Sequence, residues 1–180
     1  MGNINISRRN LLRKAGVGVA STTAAGVGLS ATANPVEASK EKAWCEETDE
    51  YRACVYKPTR RVRRPNAPTN RRIYVGNAKV YRIGSGSPEF NLHAGSWVER
   101  RRGRRYYYVW LWESKLLHRN QVIRARSPRQ LAQRTGAVLV RWFAEARRRA
   151  INAKLAVAIG KLVAAGISLI VSIILAPFLS

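Results

Sequence analysis

The stretch Arg104-Arg105-Tyr106-Tyr107-Tyr108-Val109-Trp110-Leu111-Trp112-Glu113 is the richest strand-forming segment of this 180-residue chain, dense in aromatic rings and free of glycine and proline. A two-residue period places Tyr106, Tyr108, Trp110 and Trp112 on one face and Tyr107, Val109, Leu111 and Glu113 on the other. The aromatic face has two readings. It is the core of a small barrel, where each ring buries a large area, or an exposed aromatic-and-arginine surface suited to bases, sugars or membrane head groups. Ser96 to Arg100 enters this strand through a turn near Arg102-Gly103, so the pair reads as a β-hairpin.

Working outward, Arg72 to Val75 and Ala78 to Ile83 read as two further strands around the two-residue turn Gly76-Asn77, and Gly84 to Pro88 ends them. Residues 34–70 carry Pro35, Pro58, Pro65 and Pro68 and the cluster Arg60, Arg61, Arg63 and Arg64, and read as a basic linker. Downstream, Ser127-Pro128-Arg129-Gln130 combines an N-cap serine, a first-turn proline and a glutamine at the third position, which starts a helix at Pro128. Leu131, Val138, Leu139, Trp142, Phe143 and Ala146 follow at helical spacing. Arg134, Arg141 and Arg148 repeat every seven residues on another face, giving a basic amphipathic helix. Glu145 and Arg149 form an i,i+4 pair.

From Leu155 the chain turns apolar, and Leu162 to Ser180 carries no charge, close to the ~20 residues that cross a bilayer. Small residues recur every fourth position at Ala156, Gly160, Ala164, Ser168, Ser172 and Ala176, a ridge that lets helices approach in lipid and so predicts self-association. The expected fold class is α+β: a small antiparallel sheet or partial barrel, then a basic amphipathic helix and a hydrophobic, transmembrane-type helix. The segments are 1–33 (targeting), 34–70 (disulfide-containing linker), 71–126 (β domain), 127–154 (amphipathic helix) and 155–180 (hydrophobic helix).

Charge narrows the partners. Lys and Arg number 33 against 10 Asp and Glu, a formal net charge of +23. The acids are bunched at Glu37, Glu41, Glu46, Glu47, Asp49 and Glu50, so the chain from Tyr51 onward is almost purely cationic. Anionic lipid, surface polymers and nucleic acid all reward such a field by counterion release. Charge alone does not choose among them. Cys45 and Cys54 are the only cysteines and predict one structural disulfide in an exported protein.

The N-terminus carries the export argument. Ser7-Arg8-Arg9-Asn10-Leu11-Leu12 precedes an uncharged Ala/Gly/Thr/Val run from Ala15 to Ala33 whose glycines make it a poor helix and a weak membrane span. It resembles a twin-arginine translocation signal, with Arg8 and Arg9 as the paired arginines. The resemblance implies export, with cleavage after Ala31-Thr32-Ala33 or near Val36-Glu37-Ala38. In the middle, Lys79 to Arg82, Gly84 to Pro88, Leu92 to Val98 and Tyr107 to Val109 resemble, in order, the strands and loop of bacterial Src-homology-3-like wall-binding domains.

No nucleophile-base-orienter set is legible: Asp49 is the only aspartate, His93 and His118 stand apart, and Gly84 and Gly86 precede a proline rather than a phosphate-binding helix. No catalytic, cofactor or metal site is expected. Two functions remain. In the first, an exported cationic protein, bacteriocin-like in layout, gathers on anionic membrane through Arg100, Arg101, Arg102, Arg104, Arg105, Arg134, Arg141 and Arg148. It then inserts Trp142, Phe143 and the helix bearing Gly160, Ala164, Ser168 and Ser172. In the second, a tail-anchored envelope protein binds a surface polymer or nucleic acid through its basic β domain. An external anchor would leave Arg147, Arg148, Arg149, Lys154 and Lys161 on the outer side, against the positive-inside tendency, which tilts the sequence toward insertion.

Overall fold

The computed structural model describes residues 40–179; the segment expected to be an export signal, including Arg8 and Arg9, lies outside them. The elements run β1 (Lys40–Glu47), β2 (Tyr51–Pro58), β3 (Arg61–Val62), β4 (Ile73–Arg82), β5 (Pro88–Arg101), β6 (Arg104–Glu113), β7 (Arg119–Ala125), α1 (Pro128–Arg149) and α2 (Ala153–Leu179). The strands form one antiparallel sheet ordered β1-β2-β4-β5-β6-β7, with short β3 beside β4. The fold is α+β, as expected. Both edge strands are charged or polar, which discourages pairing with another chain.

Three local expectations change. Gly76-Asn77 is no turn: β4 runs straight through it, and a Cβ at Gly76 would meet the Tyr56 carbonyl oxygen at 3.1 Å and Ile173 at 3.5 Å. The glycine serves close packing, not chain reversal. The linker 34–70 contains the hairpin β1–β2, in which Tyr51, Ala53 and Val55 turn to the core at period two. Cys45 and Cys54 sit directly opposite each other in that hairpin and are disulfide-bonded. Finally, Arg119 to Ala125 forms a seventh strand that sequence reading did not find.

Both helices pack on one face. Leu131, Val138, Leu139, Trp142, Phe143 and Ala146 of α1, with Leu155, Ile159, Leu162, Ile170 and Ile174 of α2, cover Ala53, Val55, Val80, Phe90, Leu92, Val109 and Leu111. The N-cap of α1 is Ser127 as expected: Gln130 N donates to Ser127 Oγ at 3.2 Å, while Gln130 Oε1 accepts at 3.0 Å from Arg126 N, one residue before the cap, in a variant of the capping box. α2 is long and apolar enough to be a candidate membrane span, with a mean hydropathy of 2.3 over an 18-residue stretch within Ala153–Phe178. One side of it packs on the sheet and α1, 28% of its most apolar stretch is buried, and it is broken at Gly166, where φ is +116°.

The opposite sheet face holds a second, smaller core. Tyr108 and Trp110 are buried there with Ile73, Val75 and Trp97, and Val62 and Ala67 pack over them. Trp97 stacks on Tyr108 at 5.1 Å, Trp110 on Trp112 at 3.9 Å, and His93 on Trp112 at 4.7 Å. The aromatic face therefore lies away from the helices, and half of it is covered by the chain around β3.

Candidate anion-binding site

An antiparallel meander sends alternate turns to the same end of the sheet, and here that separates two kinds of charge. One end gathers the β1–β2, β4–β5 and β6–β7 turns, the C-terminus of α1 and the N-terminus of α2. Most of its acids are paired, Asp49 being in no salt bridge among the described residues. Glu47 meets Arg52 at 2.6 Å, Glu89 meets Arg82 at 3.2 Å, Glu145 meets Arg119 at 2.7 Å and Arg149 at 2.8 Å, and Glu50 meets Lys154. Further along α2, Glu46 holds Lys161 at 2.7 Å. Lys154 and Lys161, whose external placement opposed a tail anchor, thus have carboxylate partners within the domain.

Two buried groups complete this paired end. The Tyr51 hydroxyl donates to Glu89 Oε2 at 3.1 Å and accepts from Arg82 Nη2 and Asn152 Nδ2, each at 3.2 Å. Asn152 in turn caps α2, accepting from Leu155 N at 2.7 Å. The Glu113 carboxylate accepts backbone N–H groups from Asn91, Lys115, Leu116 and Leu117 at 3.1, 2.9, 2.8 and 2.6 Å. It is the organiser of the β6–β7 turn, and its burial is explained by those four donors.

The other end gathers the 59–72 segment, the β5–β6 turn, the start of α1 and the end of α2. Here Arg60, Arg61, Arg63, Arg71 and Arg72 line a groove of ≈ 1010 Å³ with Val62, Asn70, Tyr74, Ser96, Trp97, Val98, Pro177 and Phe178, and no acidic side chain lines it. Among the described residues, Arg61, Arg63, Arg71 and Arg72 are in no salt bridge. Arg61 lies over the Tyr74 ring at 5.0 Å, and Arg71 Nη1 reaches the Val98 carbonyl at 3.4 Å. Unpaired like charges held this close repel one another, so the groove favours an anion.

Acids at this end are committed: Glu41 holds Lys57 at 3.0 Å. Glu99 accepts from Trp97 Nε1 at 3.0 Å and Arg101 Nε at 3.0 Å. Burial raises its pKa, but the bonds from Trp97 and Arg101 and the charges of Arg101 and Arg71 outweigh it and hold the carboxyl below its ordinary value. Beneath β3, Arg64 lies 5.7 Å over Trp112, and burial pushes its guanidinium pKa down.

The arginines expected from the sequence divide. Arg100, Arg101, Arg102, Arg104 and Arg105 are exposed at the β5–β6 turn, on the groove's end of the sheet. Arg102 has φ +51° and Gly103 φ +76°, so both central turn residues are left-handed. Arg134, Arg141 and Arg148 are exposed along α1 and run from this end toward the paired one; Arg134 donates to the Arg124 carbonyl at 2.7 Å. Trp142 and Phe143 are core residues here, Phe143 being 5.6 Å from the Phe90 ring. Gly160 is half-buried beside Arg147, while Ala164, Ser168 and Ser172 face outward.

Sequence reasoning noticed the arginines of 60–64 but assigned them to a linker. Their density in a short segment was the available signal; their convergence with Arg71 and Arg72 across β3–β4 required the fold. Comparison with protein families, with curated proteins and with solved structures finds no match for this chain.

Proposed function

We propose that this domain is an exported binder of anionic polymer at the cell envelope, engaging it through the arginine end of the sheet. The observation that carries the reading is the separation of charge: most carboxylates are paired at one end, while Arg61, Arg63, Arg71 and Arg72 of the groove and Arg100, Arg102, Arg104 and Arg105 of the β5–β6 turn are in no salt bridge among the described residues. Arginine forks suit phosphate, sulfate and carboxylate oxygens in pairs. The Cys45–Cys54 disulfide supports an oxidising compartment, in keeping with the twin-arginine resemblance. The test is binding of a fluorescent single-stranded oligonucleotide, a generic phosphodiester polyanion, across a salt series. Contact with about five phosphates gives a slope of about −3.5 in log K against log salt. Absence of binding at low salt removes the reading.

A second reading keeps the membrane-active, self-associating protein, favoured by the apolar length of α2. Insertion would first require undocking Leu155, Ile159 and Leu162, all fully buried. That loss costs several kcal/mol, since each large core side chain contributes about 1.5–3 kcal/mol. Leakage from anionic vesicles that persists when α2 is crosslinked to the sheet would show that insertion of α2 is not its cause. Absence of leakage from vesicles exposed to the native protein would remove this reading.

A further inference from the structure

The groove has a property beyond its charge. Ser96 lines its floor, is only 1% exposed, and its Oγ has no hydrogen-bond partner. A buried hydroxyl without a partner costs about 1–3 kcal/mol, and such groups are uncommon in folded proteins. Here it lies beneath guanidinium groups from two separate segments, Arg60 to Arg63 and Arg71 to Arg72. Ser96 and these arginines line the same groove.

Size and surface chemistry narrow the ligand. At ≈ 1010 Å³ the groove lies at the top of the range of small-molecule sites, about 300–1,000 Å³, so it has room for a ligand carrying several phosphates. Its aromatic rings are already engaged. Trp97 is 5% exposed and stacked on Tyr108, Tyr74 carries Arg61 over its ring, and Phe178 packs edge-on against Tyr107 at 5.4 Å. A nucleobase would find little face to stack on. Guanidinium forks and a hydroxyl donor match the oxygens of a tetrahedral phosphate.

Resting on the anion-binding reading above, we infer that the groove of Arg60, Arg61, Arg63, Arg71, Arg72 and Ser96 is a discrete site for a compact, multiply charged phosphate group. Clustered phosphate on a lipid headgroup and a soluble oligophosphate share this chemistry. Arginines of the groove neutralise the charge, and Ser96 donates to one oxygen at the floor. The β5–β6 turn contributes long-range attraction without contacting the ligand.

The test is calorimetric titration of the whole protein with tripolyphosphate, beside flotation with phosphatidylcholine vesicles containing phosphatidic acid or, at equal charge, phosphatidylglycerol. Saturable 1:1 binding is expected, weakened tenfold or more by Arg71→Gln with Arg72→Gln and several-fold by Ser96→Ala. Arg52→Gln with Arg147→Gln, a matched loss of two charges at the paired end, should leave it within twofold, and thermal melts report whether each variant is folded. A preference for phosphatidic acid that tripolyphosphate abolishes identifies a lipid source, and tripolyphosphate binding without that preference identifies a soluble one. Absence of saturable binding, or equal weakening by Arg101→Gln with Arg104→Gln, overturns the site. If oligonucleotide binding persists in that case, the broader anion-binding reading stands alone; if it is lost too, both fall.

Discussion

The two ends of the sheet are built from similar side chains and use them differently. At the paired end, arginines and lysines meet carboxylates, and Tyr51, Asn152 and Glu113 tie strands, turns and helix termini together. At the arginine end, the same cation type converges on a groove lined by no acidic side chain and on a hairpin tip where Glu99 holds Arg101. Charge serves stability at one end and is left available for a ligand at the other. Substitutions at the paired end should therefore lower stability with little change in anion binding. Those at the arginine end should do the reverse.

The largest effect is expected at Glu113. Replacing it with alanine orphans four backbone donors and should lower stability by about 3 kcal/mol, read from urea unfolding. Tyr51→Phe deletes the hydroxyl that joins Glu89, Arg82 and Asn152, for a loss of about 1–2 kcal/mol. Both variants should bind the oligonucleotide like the parent once folded. A fall in affinity without unfolding would break the division between the ends.

Arg102→Asn probes the other side. Asparagine tolerates the left-handed backbone that Arg102 adopts, so stability should rise by about 1 kcal/mol while oligonucleotide affinity falls. The smallest effect belongs to Glu50→Gln. A hydrogen bond from Lys154 holds the Glu50 carboxyl below its ordinary value; desolvation opposes this, and the charges of Lys154 and Arg82 assist it. The same bond, with the charge of Glu50, raises the pKa of Lys154. Stabilisation by a depressed carboxylate is present above its unfolded pKa, about 4.3, and is lost as pH falls through the lower folded value. For Lys154 it is present below about 10.4 and lost as pH rises through the raised folded value. The thermal midpoint of Glu50→Gln should thus lie slightly below the parent at pH 7 and converge with it in acid.

What was legible in the sequence was local. The α1 start follows from hydrogen bonds among Ser127, Arg126 and Gln130, all within one turn, and the β5–β6 hairpin follows from Arg102-Gly103 and the alternation after it. Gly76 misled because a glycine required by packing against Tyr56 and Ile173 looks in sequence like one required by a turn. β7 was missed because only Ile123 and Ala125 of this edge strand are buried. The apolar run after Leu155 was legible as a long helix, but its docking depends on the apolar sheet face that receives it. The arginine cluster was visible and its role was not, since the groove joins residues from β3, β4, β5 and the end of α2.

The most direct measurement compares two triple variants of equal charge, Arg61→Gln/Arg71→Gln/Arg72→Gln and Arg52→Gln/Lys115→Gln/Arg147→Gln, by oligonucleotide anisotropy at several salt concentrations. The account predicts that the first loses tenfold or more in affinity and shows a salt slope shallower by about 2, since each lost phosphate contact removes about 0.7. The second should stay within about threefold of the parent with its slope unchanged. Equal losses in both variants would contradict it, because binding would then follow net charge rather than the arginine end.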